Sequence, residues 1–185
     1  MVRILGGLKR GKKLNGPSGF EFRPTTGRVK SFLFSFFNQE IAGSNVLDLF
    51  SGTGSFGLEA VSRGAASCVF IEHNFKAIQL LKKNSMACGF EDRIQIIQGD
   101  VFGAIKKLGL EKRTFDFILS DPPFRELLRQ KIVRFIDQHH LLKSNGFLVV
   151  EHEFHDEDSM QHGLMLLRQK KFGHCVISIY GYHPF

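Results

Sequence analysis

Val46-Leu47-Asp48-Leu49-Phe50-Ser51-Gly52-Thr53-Gly54-Ser55-Phe56-Gly57 is the stretch from which the fold is read. An apolar run carrying one acid passes into a loop with glycine at 52, 54 and 57. A helical pattern then opens at about Phe56. Strand, glycine loop and helix in that order make a nucleotide-type binding crossover. Glycine lets backbone approach a ligand closely and take positive φ without a side-chain clash. A helix start leaves N–H groups unpaired. The spacing also fits the dinucleotide fingerprint, but two features oppose that reading. Asp48 stands four residues before the first glycine, where it would repel a pyrophosphate. An acid there suits a cationic, phosphate-free ligand, such as the amino-acid end of S-adenosylmethionine. The second feature is Asp121-Pro122-Pro123-Phe124, which has no place in a dehydrogenase.

Outward from the loop, strand and helix alternate. Strands are predicted at 46–50, 67–71, 94–97, 115–119 and 147–150, with a closing strand at 175–180. Helices are predicted at 57–62, from Asn74 as cap to Cys88 with Gly89 as stop, at 101–108 and at 127–138, with a last helical turn at 164–168. Before the loop, Val29, Phe32, Leu33, Phe36 and Phe37 recur at helical spacing, and Thr25 or Thr26 is the expected N-cap. Core packing accounts for those phenylalanines. Residues 2–5 and 8–14 read as two strands of a ribbon around Gly6-Gly7. The fold class is therefore α/β: one doubly wound sheet with an N-terminal basic extension.

In such a sheet ligands bind beyond the carboxyl ends of the strands. Asp48, Glu72, Asp100 and Asp121 each stand at one of those ends. An acid there can simply cap the next helix, but four at successive ends beside a glycine loop point to a ligand. Glu72 follows Gly52 by about the 20 residues at which an acid reaches ribose hydroxyls. Asp100 would face an adenine amino group, and Gly52 and Gly54 the methionine part. The expected cofactor-binding set is Asp48, Phe50, Gly52, Gly54, Glu72, Asp100 and Val101.

Two consecutive prolines make a stiff turn, because proline lacks an N–H and has a fixed φ. They hold the Asp121 carboxylate and the Pro122 carbonyl as acceptors for an exocyclic amine of a nucleobase. Phe124 offers a face for the base to stack on, worth roughly 1–3 kcal/mol. Asp121, Pro122, Pro123 and Phe124 form the expected catalytic set. His152-Glu153-Phe154-His155 has its histidines three apart, against four in the zinc-protease pattern, and no metal is expected. No nucleophilic triad is visible.

The chain has 185 residues, 43% of them hydrophobic and 23% charged, which suits one globular domain over 1–185. No apolar run approaches a membrane span, and the first residues lack the apolar core of a signal peptide. Cys68, Cys88 and Cys175 read as reduced thiols of a cytoplasmic protein. The net charge is +7, and residues 1–30 hold eight bases against Glu21 alone. The remaining seventeen bases and seventeen acids cancel. Such a local basic field attracts polyanions; a merely solvated arm is the alternative. The arm, residues 1–28, supplies the expected RNA-binding set: Arg3, Lys9, Arg10, Lys12, Lys13, Arg23, Thr25, Thr26 and Arg28.

Taken together, Arg3-Ile4-Leu5-Gly6-Gly7, Arg23-Pro24-Thr25-Thr26, Arg28-Val29, the 46–57 loop with Leu58-Glu59-Ala60 and Ser62-Arg63-Gly64-Ala65, and Val149-Val150-Glu151-His152 resemble the RsmD family. These are bacterial guanine-N2 methyltransferases of small-subunit ribosomal RNA. The resemblance spans nearly the whole chain. It departs at Phe124, where the family usually has Tyr, and at Gly27, where it usually has Asp. It implies a Rossmann-like, seven-stranded class I sheet. It also implies S-adenosylmethionine as donor and S-adenosylhomocysteine as product. Small-subunit RNA or the assembling subunit would be the partner of a monomeric enzyme. Two rivals are kept: a DNA adenine-N6 methyltransferase, which also uses Asp-Pro-Pro-aromatic motifs, and a non-catalytic RNA-binding protein on the same scaffold.

Overall fold

In a computed structural model the described residues are 2–16, 27–123, 128–153 and 163–183. Among them, seven strands form one sheet in the order β3-β2-β1-β4-β5-β7-β6. The strands are β1 (Asn45–Leu49), β2 (Ser67–Glu72), β3 (Ile94–Gln98), β4 (Phe115–Ser120), β5 (Leu142–Glu153), β6 (Met165–Phe172) and β7 (Cys175–Gly181). The helices are α1 (Gly27–Phe36), α2 (Ser55–Ser62), α3 (Phe75–Cys88), α4 (Val101–Leu110) and α5 (Leu128–Gln138). The first five strands are parallel, and β7 runs antiparallel between β5 and β6. Successive crossovers run from β1 outward to β3, then return to β4 on the other side of β1. The order therefore reverses between β1 and β4, and such a switch point opens a crevice at the strand ends.

Alternating strand residues send their side chains to two separate cores. One core joins Val46, Phe70, Phe117, Leu119 and Val149 to α1 and α2 through Leu33, Phe37, Leu58 and Val61. The other joins Leu47, Leu49, Ile118 and Val150 to α4 and α5 through Ile105, Leu108, Ile132 and Ile136. The strands are covered on both faces, which is why they read as apolar runs rather than alternating ones. The helical stripe before the loop is core on Val29, Leu33 and Phe37, while Phe32 and Phe36 stay half-buried. Phe34 is also buried, beneath the Arg63 guanidinium at 5.0 Å.

Four expectations are corrected. Of residues 164–168, expected as a helical turn, those from Met165 onward begin strand β6, because β7 offers an edge for Met165–Phe172 to pair with. The fifth strand starts at Leu142 rather than Phe147. The N-terminal ribbon has one bridge, Arg3 to Lys13, around a 3-10 turn at Gly7–Lys9. Lys30, counted among the basic residues of the N-terminal segment, is buried, where it pairs with Glu59. The Thr25 and Thr26 caps lie outside the described residues, as does Arg23.

Candidate donor and base site

The glycine loop turns because Phe50, Gly52 and Gly54 have φ of 54°, 52° and 80°. Its three glycines answer different needs. A Cβ on Gly52 would meet nothing, so that backbone is open to a ligand. A Cβ on Gly54 would strike Leu81, and one on Gly57 would strike Phe70 and Cys68. Gly57 thus lets α2 lie close against β2. Of the two glycines expected at the methionine part, Gly52 is open and Gly54 faces the core. Phe50 is half-buried against the α4–α5 core, and Val101 is buried in that core at the start of α4.

Each acid is tied to backbone. The buried Asp48 carboxylate accepts the Gly57 N–H at 2.9 Å, fixing the first turn of α2. Desolvation pushes its pKa up to about 8; the charges of Asp121 and Glu72 push the same way, and the Gly57 bond opposes them. Burial therefore favours the neutral form of Asp48. Its expected repulsion of a pyrophosphate is correspondingly weaker than the sequence reading assumed. Glu72 ends β2 and accepts N–H bonds from Gly52 at 2.8 Å, His73 at 2.9 Å and Asn74 at 2.7 Å. It joins the glycine loop to the start of α3. Asp100 is the N-cap of α4, taking the Gly103 N–H at 2.8 Å. Capping and ligand contact are compatible, since a carboxylate has about four acceptor positions.

Asp121 follows the last residue of β4, across the switch point from the glycine loop. Asp48 feels the charges of both Asp121 and Glu72, and the three acids stand at or near the carboxyl ends of the neighbouring strands β1, β4 and β2. Pro122 is buried and Pro123 exposed, while Phe124 lies outside the described residues. No group of His, Cys, Asp and Glu with metal-holding geometry occurs among the described residues. His152 bonds Ser178 Oγ at 2.8 Å and the Glu153 carbonyl at 2.7 Å, and His155 lies outside the described set.

Sequence reading overlooked two residues that tie the N-terminal segment to this site. The first is Glu59 on α2, fully buried, which accepts the N–H groups of Leu5 and Gly6 at 2.7 and 2.8 Å. It also pairs with Lys30 at 3.3 Å and Arg63 at 2.8 Å. Burial lowers the Lys30 pKa, with Glu59 opposing that shift. The second is Asn84 on α3, fully buried, whose amide bonds both Asn15 and the Thr53 carbonyl of the glycine loop. A polar residue midway along an amphipathic helix was the only available signal. Arg3, Lys9, Arg10, Lys12 and Lys13 all stand exposed on the docked segment, as does Arg28 at the start of α1.

The family model described as conserved hypothetical protein 95 matches residues 2–181. YlbH of Bacillus subtilis is 33% identical over 180 residues, covering 97% of this chain and 98% of that protein. A protein of Escherichia coli K12 named ribosomal RNA small subunit methyltransferase D is 32% identical over 186 residues, covering 97% and 89%. The solved structure of YhhF from Escherichia coli superposes with a TM-score of 0.86 at 30% identity, covering 97% of this chain and 96% of that one.

Proposed function

The chain belongs to the RsmD family of ribosomal RNA methyltransferases, and on that premise we propose that it moves a methyl group from S-adenosylmethionine to the 2-amino group of a guanine in small-subunit ribosomal RNA. The observation that supports this reading is that Asp48, Glu72 and Asp121 interact electrostatically at the carboxyl ends of the neighbouring strands β1, β2 and β4, where the strand order reverses. There the open backbone at Gly52 receives the methionine part, Glu72 receives the ribose, and the Asp100–Val101 start of α4 borders the adenine. The ammonium of the donor brings Asp48 into its charged form.

A sulfonium is already a good leaving group, so the protein's task is in-line positioning. Asp121 and the Pro122 carbonyl accept the two protons of the guanine amine and turn its lone pair toward the methyl carbon. The nitrogen–carbon bond forms as the carbon–sulfur bond breaks. Asp121 then takes the surplus proton from the methylated amine. The base must leave its stack to reach this cleft, and Phe124 supplies the face it rests on. Exposed bases of the N-terminal segment, with Arg23, Thr25, Thr26 and Arg28, hold phosphates and set orientation rather than sequence.

The test is mass mapping of small-subunit ribosomal RNA from cells with and without the gene. The expected result is the loss of one methyl group from one guanine, restored by the purified protein with tritiated donor. Unchanged RNA would overturn the proposal, and so would methyl transfer to duplex DNA alone.

A further inference from the structure

The overall charge balance outside the first thirty residues hides a local excess. Residues 163–183 carry Arg168, Lys170 and Lys171 and no acid. All three are exposed, on the outermost strand β6. Arg168 and Lys170 turn toward α1 and lie over aromatic rings. The Arg168 guanidinium is 5.0 Å from the Phe36 ring centre, and the Lys170 ammonium is 4.5 Å from that of Phe32. Phe172 completes the set, 5.4 Å from Phe32 and 5.5 Å from the Lys170 ammonium. Among the described residues neither cation meets a carboxylate. Ring faces hold a cation in place without neutralising it.

The register places this patch relative to the chemistry. Ser120, Val150, Ser178 and Gln169 form one row across β4, β5, β7 and β6. The next row toward the ligand edge runs through Glu151, Ile177 and Lys170, level with Asp121. Three strand spacings separate Lys170 from Asp121, about 14 Å at ~4.8 Å each. The patch also shares the α1–α2 side of the sheet, the side to which Asp48 turns. Basic residues on an edge strand can serve only to prevent strand pairing. That role needs no rings beneath the cations and no alignment with a catalytic edge.

Resting on the RNA reading above, we propose that the α1–β6 face is a second phosphate-binding surface, along which the acceptor RNA backbone runs from the Asp121 end of the sheet. The N-terminal segment grips the strand on the donor side, and Arg168 and Lys170 grip it on the other.

The experiment measures binding of transcribed small-subunit ribosomal RNA by anisotropy across a salt series, with S-adenosylhomocysteine present. The variants are R168Q/K170Q and, as a control of equal charge change, K106Q/K107Q on the opposite face. R168Q/K170Q should bind roughly tenfold more weakly, with a salt slope shallower by roughly 1.5, at ~0.7–0.9 per lost phosphate contact. The control should stay within about twofold of wild type. Unchanged S-adenosylhomocysteine affinity and melting temperature show that both variants are folded. Equal affinity and slope in the two variants would overturn the second surface. Wild type that binds this RNA but methylates none would instead remove the proposed activity and leave the surface standing. Wild type that fails to bind it would overturn both.

Discussion

Asn84 holds Asn15 from both sides: its carbonyl oxygen accepts the Asn15 backbone N–H at 2.7 Å, and its amide donates to the Asn15 carbonyl at 3.0 Å. The same amide nitrogen donates to Thr53 O at 3.0 Å. One buried side chain thus joins the N-terminal segment to the glycine loop, so a ligand that orders either should help the other. Wild type is expected to bind S-adenosylhomocysteine more tightly when RNA is present, and RNA more tightly when S-adenosylhomocysteine is present, by the same factor. In Asn84→Ala that coupling should fall toward one, with a stability loss of about 1–3 kcal/mol from the unpaired groups. Calorimetric titrations with and without RNA check it; an unchanged coupling factor would contradict the link.

The pH behaviour of Asp48 has a defined sign. The folded protein holds this proton up to about pH 8, while an unfolded chain releases it near 3.8. Folding therefore takes up a proton between those values, and this group's contribution to stability falls as pH rises through the window, then levels. Asp48→Asn should lose that slope, so melting temperatures of the two proteins should converge below about pH 4 and part steadily from there up to about pH 8. Donor affinity has the opposite trend. A cation favours ionised Asp48, so wild-type affinity should rise toward pH 8 and binding should release a proton. Calorimetry in buffers of different ionisation enthalpy measures that proton.

Glu59 is a buried anion between Lys30 and Arg63, with two backbone donors besides. Removing it strands the Lys30 ammonium, so Glu59→Ala should cost about 3–5 kcal/mol. The pair K30M/E59Q keeps an acceptor for one of the Leu5 and Gly6 N–H groups and removes the buried charge, so it should cost less than E59A alone. Denaturant unfolding of the variants decides, and a double variant worse than E59A would contradict this account.

Asp121→Ala should lower methyl transfer by roughly 10²–10⁴-fold, the usual worth of a positioned proton acceptor, with S-adenosylhomocysteine affinity little changed. Single-turnover rates and calorimetry on the same sample separate the two effects. Wild-type turnover would remove Asp121 from the mechanism.

What could be read in advance divides along physical lines. The β1–loop–α2 crossover, the Asn74 cap and the Gly89 stop depend on neighbours in sequence, and all stand where the residues placed them. The four acids at strand ends were legible for the same reason, since parallel crossovers carry every strand end to one edge. Residues 164–168 were misread because four apolar residues in a row carry no period, and only the waiting edge of β7 makes strand of Met165 onward. Glu59 and Lys30 were invisible as a pair: 29 positions apart, they look like ordinary surface charges until α1 packs on α2. The basic residues of β6 vanished in a sum, because acids elsewhere cancelled them.

The antiparallel β7 lies inside the sheet, yet its residues are almost the last of the described chain. During synthesis, β5 must wait for it with Val149 and Val150 along an open edge. Closure of this sheet thus waits until β7 has been made, and loss of the β6–β7 hairpin would leave a sticky, unfinished sheet rather than a smaller enzyme.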